Sequence, residues 1–122
     1  MLLKKLESLK IKFDEKHLIP VIVQDYQSCE VLMMAWMNLE TVIKTLETKQ
    51  MTYWSRSRNS IWIKGETSGN KQRLISLLID CDKDCLLAKV EQTGAACHTN
   101  HRSCFYTDFT SGSEQFVGKL LP

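Results

Sequence analysis

The segment Cys97-His98-Thr99-Asn100-His101-Arg102-Ser103-Cys104 puts two thiols and two imidazoles within eight residues. Thiolate and imidazole are the donors zinc prefers. Cys81 lies upstream. A set of Cys81, Cys97 and Cys104 would leave the fourth tetrahedral position to water, as in catalytic zinc sites. A closed structural site that adds Cys85 or a histidine, and plain buried thiols, fit the same residues. The H-x-E and P-C-x-x-C signature of nucleobase deaminases is absent.

Asp80-Cys81-Asp82-Lys83-Asp84-Cys85 adds carboxylates at alternate positions. In an extended segment residues i, i+2 and i+4 share a face. Three carboxylates there repel one another, and a hard cation such as Mg²⁺ or Ca²⁺ would relieve the repulsion. Cys81 would then point the other way, so one segment could serve two metals. A solvated acidic turn is the plain alternative. An EF-hand reading, with Glu91 at position 12, fails at position 6, where Cys85 stands in place of the required glycine.

A third group suits anions. Trp54-Ser55-Arg56-Ser57-Arg58 spaces two guanidinium groups at i and i+2, on one side of a strand unless the strand ends and twists. Gly65-Glu66-Thr67-Ser68-Gly69-Asn70 offers backbone approach at its glycines and hydrogen bonds from Thr, Ser and Asn. No Walker A loop is present. Together these segments suggest a small phosphorylated ligand.

The rest of the chain bounds what can hold these groups. It has 122 residues, 43% hydrophobic and 25% charged, with a net charge of +2. Composition and length suit one domain, 1–122, able to bury a core without disulfide staples. The near balance of charge argues against a nucleic-acid platform. The longest apolar run, Val31 to Met37, is far short of the roughly 20 residues a membrane span needs. The N-terminus lacks a signal-peptide core, so a reducing, cytoplasmic location is expected. Five cysteines cannot all pair within the chain, which leaves metal, catalysis or inert burial.

Leu18–Val23 reads as a first strand, with Pro20 marking an edge or a strand start. It forms a hairpin with a second strand around Glu30–Met37, where Cys29 is expected in the core. Asn38 suits an N-cap, and Leu39, Val42, Ile43 and Leu46 recur at helical spacing, predicting the one main helix over Leu39–Lys49. Met51–Ser57 and Ser60–Lys64 read as strands joined at Arg58-Asn59. Arg73–Ile79 and Cys85–Val90 are apolar runs around the acidic turn that suit buried strands, though periodicity alone does not separate these from helix. Leu9–Phe13 is weakly strand-like, and Ser113–Leu121 suits a short terminal helix or a frayed tail.

Taken together, these blocks resemble the phosphoribosyl-AMP cyclohydrolase family of histidine biosynthesis. The match rests on Trp54–Arg58, Trp62-Ile63-Lys64-Gly65-Glu66-Thr67-Ser68-Gly69-Asn70, Asp80–Asp84 and Gly94–Phe105, in the family's order and spacing. With Pro20-Val21 and Ala35-Trp36-Met37-Asn38 it spans roughly residues 15–108, leaving a C-terminal tail of 109–122. The resemblance implies an α+β, β-rich fold, a compact mixed or antiparallel sheet or pseudo-barrel, working as a homodimer. It implies zinc on Cys81, Cys97 and Cys104, with Cys81 donated by the partner subunit, and magnesium on Asp80, Asp82 and Asp84. No fused pyrophosphohydrolase domain is expected. Asn100 stands where the family usually has glycine, a substitution a left-handed backbone tolerates; Ala95-Ala96 stands where proline is common.

The reaction so implied is hydrolysis of the N1–C6 bond of the adenine ring. Zinc acidifies a bound water, the resulting hydroxide attacks C6, and collapse of the adduct breaks C6–N1. His98, beside Cys97, is the candidate general acid or base, ahead of His101 and Glu66, and His17 is expected at the surface. Arg56, Arg58, Ser68 and Asn70 would hold phosphates or ribose hydroxyls, and Glu66 a ribose hydroxyl. The rival classes are a non-enzymatic zinc module, which gives no role to the arginines or the acidic triplet, and a zinc deaminase.

Overall fold

Alternation builds the first strand. In the computed structural model, which describes residues 2–122, Ile19, Val21 and Val23 are fully buried, while Ile22 among them is exposed. The elements follow in the order α1 (Leu2–Leu9), β1 (Ile19–Asp25), β2 (Val31–Met37), α2 (Leu39–Thr48), β3 (Thr52–Ser55), β4 (Ser60–Ile63), β5 (Gln72–Ile79), β6 (Leu86–Gln92), β7 (Thr107–Asp108) and β8 (Gln115–Phe116). The main sheet has the order β2-β1-β6-β5, and β3-β4 and β7-β8 form two separate hairpins. β1 runs parallel to β6; the β1–β2 and β5–β6 pairs are antiparallel. The fold is therefore α+β on a mixed sheet. That sheet is open, so the barrel-like alternative does not hold.

Pro20 lies in a central strand rather than at an edge. It is tolerated because it precedes the β6 ladder, whose register begins at Val21 opposite Leu86. α2 starts where its cap predicts: Asn38 accepts from the Thr41 amide at 2.9 Å, and the Thr41 hydroxyl accepts from the Asn38 amide at 3.0 Å. Its buried face is Thr41, Val42 and Thr45, with Ile43 and Leu46 half-buried and Leu39 exposed. Thr45 hydrogen-bonds both backbone groups of Thr52, which ties α2 to β3.

Four expectations change. A second helix, α1, precedes the first strand. It buries Leu6 against the core through a short amphipathic pattern, and Leu9–Phe13 forms no strand. Cys29 is exposed, with φ of 65°, in the β1–β2 turn rather than in the core. β3 ends at Ser55, so Arg56–Asn59 form the turn. The terminal segment makes the short β7–β8 pair and an extended tail rather than a helix, with Leu120 bridged to His101.

The core gathers on one face of the sheet around Val21, Val23, Met37, Met51, Tyr53, Ala88 and Val90. The opposite face carries an apolar row straight across it. Met34, Ile22, Leu87 and Leu78 are consecutive register partners on β2, β1, β6 and β5. Met34, Ile22 and Leu78 are each about 40% exposed, unusual for so continuous a stripe.

Candidate active site

The β3–β4 hairpin and the loop after it form one wall of the site. The alternation of β4 carries on past its end at Ile63, so Trp62 and Lys64 share a face, and the Lys64 ammonium lies 5.5 Å from the Trp62 ring centroid. Gly65 then turns the chain at φ of 80°, where a Cβ would come within 2.5 Å of the Asn70 carbonyl carbon and the Lys71 nitrogen. Only glycine closes the 65–70 loop so tightly. The other wall is the segment 96–102, drawn in by Ala96 N–H to Arg102 O (3.1 Å), Cys97 N–H to His101 O (3.2 Å) and Asn100 N–H to Cys97 O (3.0 Å). Asn100 takes φ of 67°, the left-handed conformation its place in the turn requires.

Between these walls lies a cavity of about 770 Å³, lined by Arg58, Glu66, Ser68 and Asn70 on one side and by Cys97, His98 and Asn100 on the other. Six of the residues singled out in the sequence thus meet in one place. Arg56 does not line it. With β3 ended at Ser55, the two arginines lose their common face, and the Arg56 guanidinium lies 4.6 Å from the Trp36 ring centroid.

The 97–104 segment is anchored on the β1–β2 hairpin. Cys104 N–H donates to Leu32 O at 2.7 Å and the Ser103 hydroxyl to Val31 O at 2.7 Å. Arg102 pairs with Glu30 at 2.8 Å and Asp25 at 3.1 Å. From the other side the C-terminal tail braces the segment. Arg102 N–H donates to Lys119 O and Leu121 N–H to Asn100 O, both at 2.9 Å, and the Asn100 side chain donates to Leu121 O.

This anchoring brings Cys97 and Cys104 within hydrogen-bond reach of each other. Cys104 is exposed, yet partial desolvation by its neighbours pushes its thiol up to about 11, with Cys97 adding to the rise and Lys64 opposing it. At Cys97 burial also acts upward, but hydrogen bonds from Thr99 and Cys104 and the Lys64 charge outweigh it and hold the thiol below its ordinary value. Cys97 is the better thiolate of the pair. Its sulfur lies 2.9 Å from the Thr99 hydroxyl, itself 2.9 Å from His101 Nδ1. His101 stacks on Tyr106 with ring centroids 3.7 Å apart, so it belongs to the support of Cys97, whereas His98 faces the cavity.

Cys81 stands apart. It is exposed in the β5–β6 turn and does not join Cys97 and Cys104 in a three-donor cluster within 4.8 Å in the single chain. Asp80, Asp82 and Asp84 do cluster, with ligand oxygens all within 4.8 Å. The reason differs from the alternating-strand expectation. The segment is a turn, with Lys83 at φ of 65° and Asp80 accepting from the Asp84 and Cys85 amides at 3.0 and 3.2 Å. Desolvation raises the Asp84 carboxyl, and the hydrogen bond and charge of Asp80 raise it further. At Asp80 the amide hydrogen bonds outweigh the same desolvation and hold it low. Cys85 is half-buried between these acids and β6, and His17 is exposed, as expected.

The sequence reading missed Lys64, Trp62 and Thr99. Strand parity from Trp62 would have found Lys64; only the folded loop reveals Thr99. No helix among the described residues is long and apolar enough to cross a membrane.

A sequence model of the phosphoribosyl-AMP cyclohydrolase family matches residues 33–106. A Cereibacter sphaeroides protein named phosphoribosyl-AMP cyclohydrolase is 62% identical over 107 residues, covering 88% of this chain and 90% of its own length. Proteins of the same name from Ruegeria sp. and Paracoccus denitrificans are 61% and 58% identical, covering 88% and 91% of this chain and 83% and 92% of their own lengths. With the family's match spanning both walls of the cavity and such identity along most of the sequence, the chain belongs to the phosphoribosyl-AMP cyclohydrolase family.

Proposed function

We propose that the protein hydrolyses the N1–C6 bond of the adenine ring of 1-(5-phosphoribosyl)-AMP, a ring-opening step of histidine biosynthesis, in the cytoplasm. One observation carries the reading: the cavity of about 770 Å³ sets anion-binding groups opposite a thiol–imidazole wall. Its volume suits a nucleotide-sized ligand. Arg58 and the 65–70 loop bind the phosphoribosyl portion, with Glu66 on a ribose hydroxyl. Arg56, whose guanidinium lies over Trp36 outside the cavity, reaches the outer phosphate only by leaving that stack. His98 exchanges a proton with the departing N1 or the incoming water.

The donor sets fit the metals the family implies. Two thiols held in one loop beside a cation suit zinc, and three clustered carboxylates suit magnesium. When bound, zinc supplies a water acidified toward neutral pH. Cys97 and Cys104 hold it from one chain, and Cys81 comes from the second subunit of a homodimer. Two features support the dimer. Cys81, Cys97 and Cys104 do not converge on one point within the single chain, and the Met34–Ile22–Leu87–Leu78 row offers an apolar face to a second copy.

The direct test is incubation with phosphoribosyl-AMP in zinc and magnesium, following ring opening by ultraviolet absorbance; absence of turnover rejects the assignment. Mixing inactive Cys81→Ala and Cys97→Ala subunits tests the shared site, because a heterodimer retains one intact set. With subunit exchange verified, no recovery of activity rejects the sharing.

A further inference from the structure

Lys64 is the least expected residue of the cavity. It is 7% exposed, yet no carboxylate pairs with it among the described residues. A buried ammonium is costly without a counter-charge. Its one hydrogen bond is to the carbonyl of Ala96 at 2.7 Å, the residue before Cys97. The acceptor is neutral, so the charge itself stays unpaired by that bond. Lys64 and Cys97 line the same cavity, and the thiolate forms of Cys104 and Cys97 would favour the charged ammonium. The cation therefore sits where the proposed metal site would gather its negative charge.

We infer that Lys64 is a positioning residue of the thiolate centre. Its ammonium offsets the charge the thiolates bring to a bound divalent metal, and its bond to Ala96 fixes the backbone from which Cys97 projects. The inference rests on the proposed thiolate–metal reading. Three thiolates and one divalent ion would sum to −1, and Lys64 would bring the group to zero. The Trp62 ring on one side and the Ala96 carbonyl on the other leave the ammonium little freedom to swing away. Arg58, also in the cavity, is exposed and belongs to the opposite end of the β3–β4 hairpin, so it cannot take this place.

The test compares the unsubstituted chain, Lys64→Met, Lys64→Arg and Cys97→Ala by zinc competition against a chromophoric chelator, with no substrate present. Lys64→Met, near in shape and uncharged, should bind zinc about 10- to 100-fold more weakly, the range for residues that support metal ligands. Lys64→Arg should recover most of the loss. Equal affinity in Lys64→Met and the unsubstituted chain overturns the inference. If Cys97→Ala also binds zinc as tightly as the unsubstituted chain, the thiolate reading itself has failed. Should Lys64→Met not fold, the unsubstituted protein labelled with ε-¹³C lysine decides. The Lys64 resonance, assigned by its loss in Lys64→Arg, should shift on zinc addition, and a resonance that does not move overturns the inference.

Discussion

The C-terminal tail braces the 97–104 segment that is proposed to hold zinc, and ending the chain after Glu114 measures how firmly. Three hydrogen bonds connect the tail to that segment: Arg102 N–H to Lys119 O, Leu121 N–H to Asn100 O, and the Asn100 side chain to Leu121 O. All are at the surface, where each is worth about 0.5–0.7 kcal/mol, so their loss loosens the segment by about 1.5–2 kcal/mol. A site competent only part of the time binds in proportion to that fraction, which translates into zinc affinity weakened about 10- to 30-fold. The figure is a ceiling, because the Ser103, Cys104 and Arg102 contacts to the β1–β2 hairpin persist. Asn100→Gly removes only the side-chain bond and should cost about 2- to 3-fold. Chelator competition reads both values. The main sheet uses no tail residue, so the melting temperature should shift little. Zinc affinity within twofold of the full chain in the truncated protein would refute the bracing.

Three further outcomes follow from the same contacts. Arg58→Ala should raise KM at least tenfold with a smaller effect on kcat, whereas Arg56→Ala, whose guanidinium lies over Trp36 outside the cavity, should change KM less; equal effects would place both in one anion site. Thr45→Val strands the Thr52 amide and carbonyl inside the fold and should lower stability by about 2–3 kcal/mol in urea unfolding, a result near zero showing that these bonds are replaced. At Asp25 desolvation acts upward, but bonds from Ser28 and Gln27 and the Arg102 charge hold the carboxyl below its ordinary value. A lowered folded-state pKa adds stability that is present above the unfolded value, near 4, and is lost as pH falls through the folded value. The stability gap between the unsubstituted chain and Asp25→Asn should therefore be full at neutral pH and shrink below about pH 4; a gap constant with pH contradicts this.

The grouping of the site was legible because its residues sit in compact blocks whose side-chain types admit little else. Arg58, Glu66, Ser68, Asn70, Cys97 and His98 line one cavity as their chemistry suggested. The arginine pair misled because periodicity cannot say where a strand stops, and two residues fewer of β3 separate Arg56 from Arg58. The acidic triplet converges for a reason that alternation does not supply, an Asp80-centred turn. Lys64 was hidden by its type, since a lysine in a glycine-bordered motif reads as a surface charge until burial shows otherwise. The tail's role depends on contacts between residues about 20 apart with no apolar pattern to announce them.

The parallel pairing of β1 with β6 also governs the order in which the protein can assemble. Val21 meets Leu86 across a separation of 65 residues, whereas β1–β2 and β5–β6 are local hairpins. Closing so long a loop costs chain entropy before any contact rewards it, so the two hairpins should form early and their docking late. On a ribosome β1 emerges well before β6 and waits with an unpaired edge beside its hairpin partner. That interval is when the chain is most open to strand-edge association with other unfinished copies. Expression yield should therefore respond to temperature and synthesis rate more than the finished fold's stability suggests.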